Sequence, residues 1–145
     1  MAVQEDQDKD TFELFYSNNT IYSNFYPAKF TDSRLKFPEG SVYNKVEDFT
    51  FVHVEQYMHA CKALLFMDNE TLDKILAVTD PMESKKLGRQ VAGFEDDVWC
   101  SVARDIVTRG CWLKFSQNKD LWEQMETTGN RIFVECAPRD RRQVS

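Results

Sequence analysis

The sequence predicts a single α+β domain, mainly helical, with short strands toward the N-terminal end and one strand near the C-terminal end. Three observations predict it. The chain has 145 residues, which at roughly 150 residues per domain makes one core rather than two. Its pattern changes once, from a strand-like, turn-rich stretch between Thr11 and Val54 to helical spacing beyond. It also carries 11 Phe, 5 Tyr and 3 Trp, far more aromatic surface than a disordered chain has to hide. A chain of this size can bury about 68–70% of its unfolded surface, so stability needs no metal or disulfide framework.

Residues 1–10 form an acidic, polar leader, expected to be disordered, and residues 11–145 form the domain. Phe12 to Tyr16 reads as a short strand before the turn residues Ser17-Asn18-Asn19. Further turns at Ser23-Asn24-Phe25-Tyr26-Pro27 and Pro38-Glu39-Gly40 lead to a second strand at Phe49-Thr50-Phe51-Val52. Val54, Met58, Cys61 and Leu65 then recur at i, i+4, i+7 and i+11, within about 60° of one another on a helix of 100° per residue. A helix over 54–66 with that stripe in the core follows. Leu72, Ile75 and Leu76 after Asp68 or Asn69 predict a helix over 69–77. Asp80-Pro81-Met82-Glu83 is a strong helix start: an N-cap carboxylate, a proline whose missing N–H costs nothing in the first turn, and Glu at N3. Gly88 ends that helix. Val98, Val102 and Ile106 predict a helix over 95–116 with a break near Gly110, and Leu121 to Thr127 a short one stopped by Gly129. Ile132-Phe133-Val134 reads as a buried strand.

Charge and cysteine usage narrow the function. With 18 Lys and Arg against 24 Asp and Glu the net charge is −6, and the pI is about 4.9. Stable, sequence-independent nucleic-acid binding needs a basic face and is not expected, although a nucleotide pocket is compatible with this balance. No apolar run approaches the roughly 20 residues that span a bilayer, and the start lacks the apolar core of a secretory signal. A soluble, intracellular protein, cytoplasmic or nuclear, is expected. Cys61, Cys100, Cys111 and Cys136 stand singly with no C-x-x-C, as reduced thiols do, and no metal site is expected.

Glu55 and Lys62 lie seven residues apart on the first helix, so they differ by about 20° around it and about 10 Å along it. The lysine leans back toward the carboxylate, leaving between them a space about the size of a sugar. One reading is a carboxylate that moves protons beside an amine that attacks a carbonyl-like carbon. The other is a carboxylate suited to the helix dipole and a solvated lysine. The Ser23-to-Pro27 loop mixes hydrogen-bonding groups with aromatic faces, as ribose and a flat base require, or is simply an aromatic-anchored turn. Trp99, next to the expected core position Val98, either stacks on a base or belongs to the core. Arg89 either forks onto a phosphate or bonds the last carbonyls of its helix. His53 and His59, six apart, fall on different helix faces and make no metal pair. Asp140 follows the expected last strand, where loops often carry function.

Taken in order, these segments resemble the NADAR family, the YbiA-like fold associated with NAD and ADP-ribose chemistry. The resemblance runs over about residues 14 to 140. It rests on Ser23 to Pro27, Glu55-Gln56-Tyr57-Met58 with Lys62-Ala63 and Phe66, Ile75-Leu76 before Asp80-Pro81, and Lys86-Leu87-Gly88-Arg89. It continues through Gly93-Phe94 with Trp99, Lys114-Phe115-Ser116-Gln117-Asn118, Thr128-Gly129, and Glu135 with Pro138 and Asp140. It implies an N-glycosidase that cleaves ribose from a base, either in a phosphorylated ribosylamino-pyrimidine of riboflavin synthesis or in an ADP-ribosylated guanine nucleotide. Glu55 would be the acid/base carboxylate, Lys62 the amine that engages ribose C1′ as an imine, and Asp140 a group that positions the sugar or protonates the departing base. Ser23, Asn24 and Phe25 of the loop, with Arg89 and Trp99, would bind ribose, phosphate and base, and Lys85 and Lys86 would add local positive charge. No redox cofactor or metal is implied. After Asp140 the family pattern continues with a tryptophan-glycine segment, where this chain reads Arg141-Arg142-Gln143-Val144-Ser145. The alternative is therefore a non-catalytic module that holds ADP-ribose or a nucleotide, or an inactive truncated member.

Overall fold

A computed structural model describes residues 21–128. The acidic leader, the strand expected at Phe12 to Tyr16, the Gly129 stop, the strand expected at Ile132 to Val134, Cys136 and Asp140 all lie outside the described residues. Within them the fold is α+β and mainly helical. Two short strands, β1 (Phe30–Thr31) and β2 (Thr50–Phe51), precede five helices: α1 (Val54–Leu65), α2 (Asn69–Ala77), α3 (Pro81–Gly88), α4 (Asp96–Ser116) and α5 (Lys119–Thr128). The strands pair antiparallel, Phe30 opposite Phe51 and Thr31 opposite Thr50.

The central element is α1, against which α2, α3 and α4 all pack. Every residue from Val54 to Ala63 is consequently buried, polar ones included. Val54, Met58 and Cys61 of the expected stripe are in the interior, but Leu65 is 38% exposed because the helix emerges from its neighbours in its last turn. Aromatic rings fill the space between the strands and α1: Phe51 meets Phe49 at 5.0 Å and Tyr57 at 5.1 Å, edge to face in both cases.

Local chemistry explains the helix ends. His53 caps α1, its Nδ1 accepting from Gln56 N–H at 3.0 Å. At the other end Met67 N–H bonds Leu64 O and Asp68 N–H bonds Ala63 O, a Schellman closure with Met67 in the left-handed region at φ 56°. Asp68 then caps α2 through Thr71 N–H at 3.1 Å and accepts Ala92 N–H at 2.8 Å with its second oxygen. Asp80 caps α3 through Met82 N–H at 3.0 Å, with Pro81 in the first turn.

Two expectations for α4 are corrected. The helix runs unbroken through Gly110. A Cβ there would come within 3.0 Å of Val54 Cγ1 and Tyr57 Cδ1, so the glycine lets α4 close onto α1 rather than ending the helix. Val98, expected in the core, is 39% exposed. The buried face of α4 is instead formed by its last two turns, Gly110, Cys111, Lys114 and Phe115.

The segment from Lys114 to Asn118 fastens the loop that precedes β1. Lys114, fully buried, donates to the carbonyls of Ile21 and Ser23 at 2.5 and 2.9 Å, and burial pushes its ammonium down to about 8. Gln117 exchanges two 2.8 Å hydrogen bonds with the backbone of Thr31, extending the edge of β1. Asn118 donates to Lys29 O at 2.9 Å.

His53 makes stability depend on pH. Its Nε2 lies 2.8 Å from Thr79 O, so the ring is held neutral with Nε2 donating and Nδ1 accepting. Burial is the main reason its pKa falls below 6.5, against the opposing pull of Thr79 O and the Glu55 and Asp80 carboxylates, while the neighbouring His59 adds to the fall. Between the lowered folded value and the unfolded value of about 6.5 the unfolded chain binds more protons, so stability falls as pH drops through that window. Urea melts at pH 7.5 and 5 are expected to show this loss in the wild type. His53→Asn, which keeps a cap acceptor without a titrating ring, is expected to show a smaller one; equal losses would remove His53 as the cause.

Candidate active site

Glu55 and Lys62 are both interior residues of α1, at 2% and 9% exposure. The Glu55 backbone N–H donates to Asn24 O at 3.0 Å, which ties the Ser23-to-Pro27 loop to the first turn of α1. One carboxylate oxygen, Oε1, lies 2.8 Å from His59 Nε2, one helical turn along. The other, Oε2, is buried with no hydrogen-bond partner among the described residues. Asn24 Nδ2, His59 Nδ1 and Ser84 Oγ are buried and unpartnered in the same way. Each such group costs on the order of 1–3 kcal/mol. Ser84 shares a face of α3 with Gly88, one turn later, and Gly88 abuts the His59 ring. The unsatisfied atoms thus belong to α1, to the loop bonded to its first turn and to the helix packed against it.

The Lys62 ammonium has a different setting. It sits 4.4 Å from the centroid of Phe94 and 5.7 Å from that of Trp99, and makes no hydrogen bond or ion pair among the described residues. Phe94 is itself edge-on to Phe66 at 5.4 Å. Burial, and secondarily the nearby Arg89 charge, lowers the Lys62 pKa from its ordinary value, which enlarges the fraction present as a nucleophilic amine. The turn leading into Phe94 uses Gly93 at φ 73°.

The sequence-predicted residues thus fall into groups. Asn24 and Glu55 meet directly through the backbone; Lys62 and Trp99 meet at the other end of the same helix, where the Arg89 charge is felt by Lys62. Ser23 is fully buried and its hydroxyl accepts Phe25 N–H at 3.0 Å, which shapes the turn that presents Asn24. Phe25 is half-buried and Arg89 exposed. Asp140 lies outside the described residues. Two residues not singled out as site members stand in direct contact with those that were. His59 makes no metal pair with His53, but its i, i+4 spacing from Glu55 is the signal in the sequence that places it beside the carboxylate. Phe94 forms a ring wall beside Lys62. Among the described residues no three His, Cys, Asp or Glu side chains gather as a metal set, and no helix is long and apolar enough to cross a membrane.

The arrangement joins a buried carboxylate with one uncommitted oxygen, a buried amide donor and a lysine of lowered basicity between aromatic rings. It can exchange a proton, hold a hydroxyl and attack an electrophilic carbon. The NADAR domain model matches residues 13–142. N-glycosidase R617 of Acanthamoeba polyphaga mimivirus is 37% identical over 139 residues, covering 91% of this chain and 76% of the relative. Protein irg-1 of Caenorhabditis elegans is 34% identical over 141 residues, covering 96% of this chain and 66% of the relative.

Proposed function

The chain belongs to the NADAR family, and from that premise we propose that it is an N-glycosidase that releases a base from ribose, in an ADP-ribosylated guanine nucleotide or a ribosylamino-pyrimidine phosphate. The observation that carries the reading is the pairing on α1 of Glu55, whose Oε2 is buried and uncommitted, with Lys62, whose basicity burial has lowered.

In the reaction the departing base nitrogen takes a proton as the bond to C1′ breaks, and the Lys62 amine forms its own bond to C1′. Glu55 accepts the proton that the amine loses. The ribose ring opens as O4′ leaves C1′ and takes a proton, which yields an imine to Lys62. Water then adds to the imine, returning the amine and releasing the free sugar. Asn24 Nδ2 is suited to hold a ribose hydroxyl, Trp99 and Phe94 to face the base, and Arg89 to meet a phosphate. Asp140 would position the sugar or protonate the base.

The test incubates the chain separately with an ADP-ribosylated guanine oligonucleotide and a ribosylamino-pyrimidine phosphate, adding borohydride and mapping adducts by mass. Released sugar and a reduced sugar adduct on Lys62 are expected, and Lys62→Ala is expected to yield no adduct. A cooperatively folded chain that binds ADP-ribose but forms neither product nor adduct would replace the enzyme with a binding module.

A further inference from the structure

We infer that His59 is a positioning residue for Glu55, holding one carboxylate oxygen so that the other is the one presented to substrate; this rests on the N-glycosidase reading above. His59 Nε2 and Glu55 Oε1 are 2.8 Å apart, with side chains only 8% and 2% exposed. A carboxylate accepts but does not donate, so Nε2 carries the proton of this hydrogen bond. The final torsion of a glutamate is broad and two-fold. Without the ring, either oxygen of Glu55 would turn toward the sugar at a range of angles.

The ring itself is fixed from behind. A Cβ on Gly88 would come 1.9 Å from His59 Nδ1 and 2.5 Å from both Cγ and Cε1, so the ring lies directly against the α3 backbone, which closes off that side of it. Gly88 closes a regular helix with its backbone outside the left-handed region, so its role is space and not conformational freedom. Glycine within a helix is less stable than alanine. Here that stability is given up where it keeps the histidine against the carboxylate. His59 touches no reacting atom in this arrangement; it acts through Glu55.

Three variants of the full chain test it, assayed by steady-state turnover of the substrate cleaved by the wild type, by ADP-ribose affinity and by thermal melting. His59→Leu is expected to lower kcat by about 10–100-fold with KM within about 2-fold, the signature of a misaligned group rather than a lost binding contact. His59→Gln, whose amide nitrogen reaches the position of Nε2, is expected to restore most of kcat. Gly88→Ala keeps the imidazole but displaces it, and is expected to lower kcat as His59→Leu does. A residue that served only packing would instead lower the melting temperature without a selective loss of kcat, and Gln would not rescue it. Wild-type kcat in a folded His59→Leu protein would overturn the proposal and leave the glycosidase reading standing. If His59→Leu does not fold, His59→Asn, polar but too short to reach Oε1, decides by the same criterion. Absence of turnover by the wild type on both substrates would overturn the glycosidase reading, and the His59 role with it.

Discussion

Glu55→Gln is expected to lower kcat by about 10²–10⁴-fold, the usual range for losing a positioned proton-transfer group, while ADP-ribose affinity stays within a few-fold. The substitution is nearly isosteric, and the amide oxygen of Gln can still accept from His59 Nε2, so the ring remains in place. What changes is the other position. Glu55 Oε2, a buried acceptor without a partner, becomes an NH₂ group that donates and cannot take a proton. Removing a buried negative charge is not expected to destabilise α1, because the burial cost of that charge disappears with it. A melting temperature equal to or above that of the wild type, combined with the loss in kcat, separates chemistry from folding. Wild-type turnover in this variant would take Glu55 out of the mechanism.

Arg109→Met is expected to cost about 3 kcal/mol of folding stability, the low end of the range for removing one partner of a buried ion pair. Arg109 forks onto Asp32, Nε to Oδ2 at 2.9 Å and Nη2 to Oδ1 at 2.6 Å, and the Tyr57 hydroxyl donates to Oδ2 at 2.7 Å. The triad ties the segment after β1 to both α1 and α4. Arg109 is partly exposed while the Asp32 side chain is 2% exposed, and Tyr57 and the Arg34 N–H would still hold the carboxylate, which is why the low end applies. Burial by itself would raise the Asp32 carboxyl, but hydrogen bonds from Arg109 and Tyr57, with the Arg109 charge, outweigh it and hold the carboxyl below its ordinary 3.8. The sign follows: the stabilisation is complete above the unfolded value of about 3.9 and is lost as pH falls through the lower folded value. Urea unfolding at pH 7 checks the magnitude. Asp32→Asn combined with Arg109→Met is expected to cost less than the two single changes added together, because neither variant then leaves a lone buried charge. Strict additivity, or a stability of Arg109→Met equal to the wild type, would dismiss the triad as a stabilising unit.

How much of this was legible depends on the range of the forces involved. Helix starts at Asp68 and Asp80 could be read because a cap acts over three residues. The stripe of Val54, Met58 and Cys61 could be read because burial on one face leaves a period. Leu65 and Val98 could not, since nothing local says where a neighbouring helix stops covering its partner. Gly110 suggests a break for a related reason: glycine weakens an isolated helix, but here it permits a contact with Val54 and Tyr57 from a helix more than 50 residues earlier in the chain. The pair Phe30–Thr31 has no strand signal of its own, and it is held by Phe51 on one side and the Gln117 side chain on the other.

The site divides along the same line. Asn24, Glu55, Lys62, Arg89 and Trp99 were identified as a set by their residue types and order, and the seven-residue spacing alone put Glu55 and Lys62 on one helical face. By itself, then, the sequence determined the run of helices, the caps at Asp68 and Asp80 and the family, because each is encoded in residues close together or in an ordered pattern. Tertiary structure alone decided that Glu55 has one oxygen committed to His59 and one uncommitted, that Lys62 rests between Phe94 and Trp99, and that Gly88 and Gly110 make room for side chains of α1. Those outcomes depend on how closely separate helices approach, which is settled by packing across the whole core and leaves no mark within any one segment.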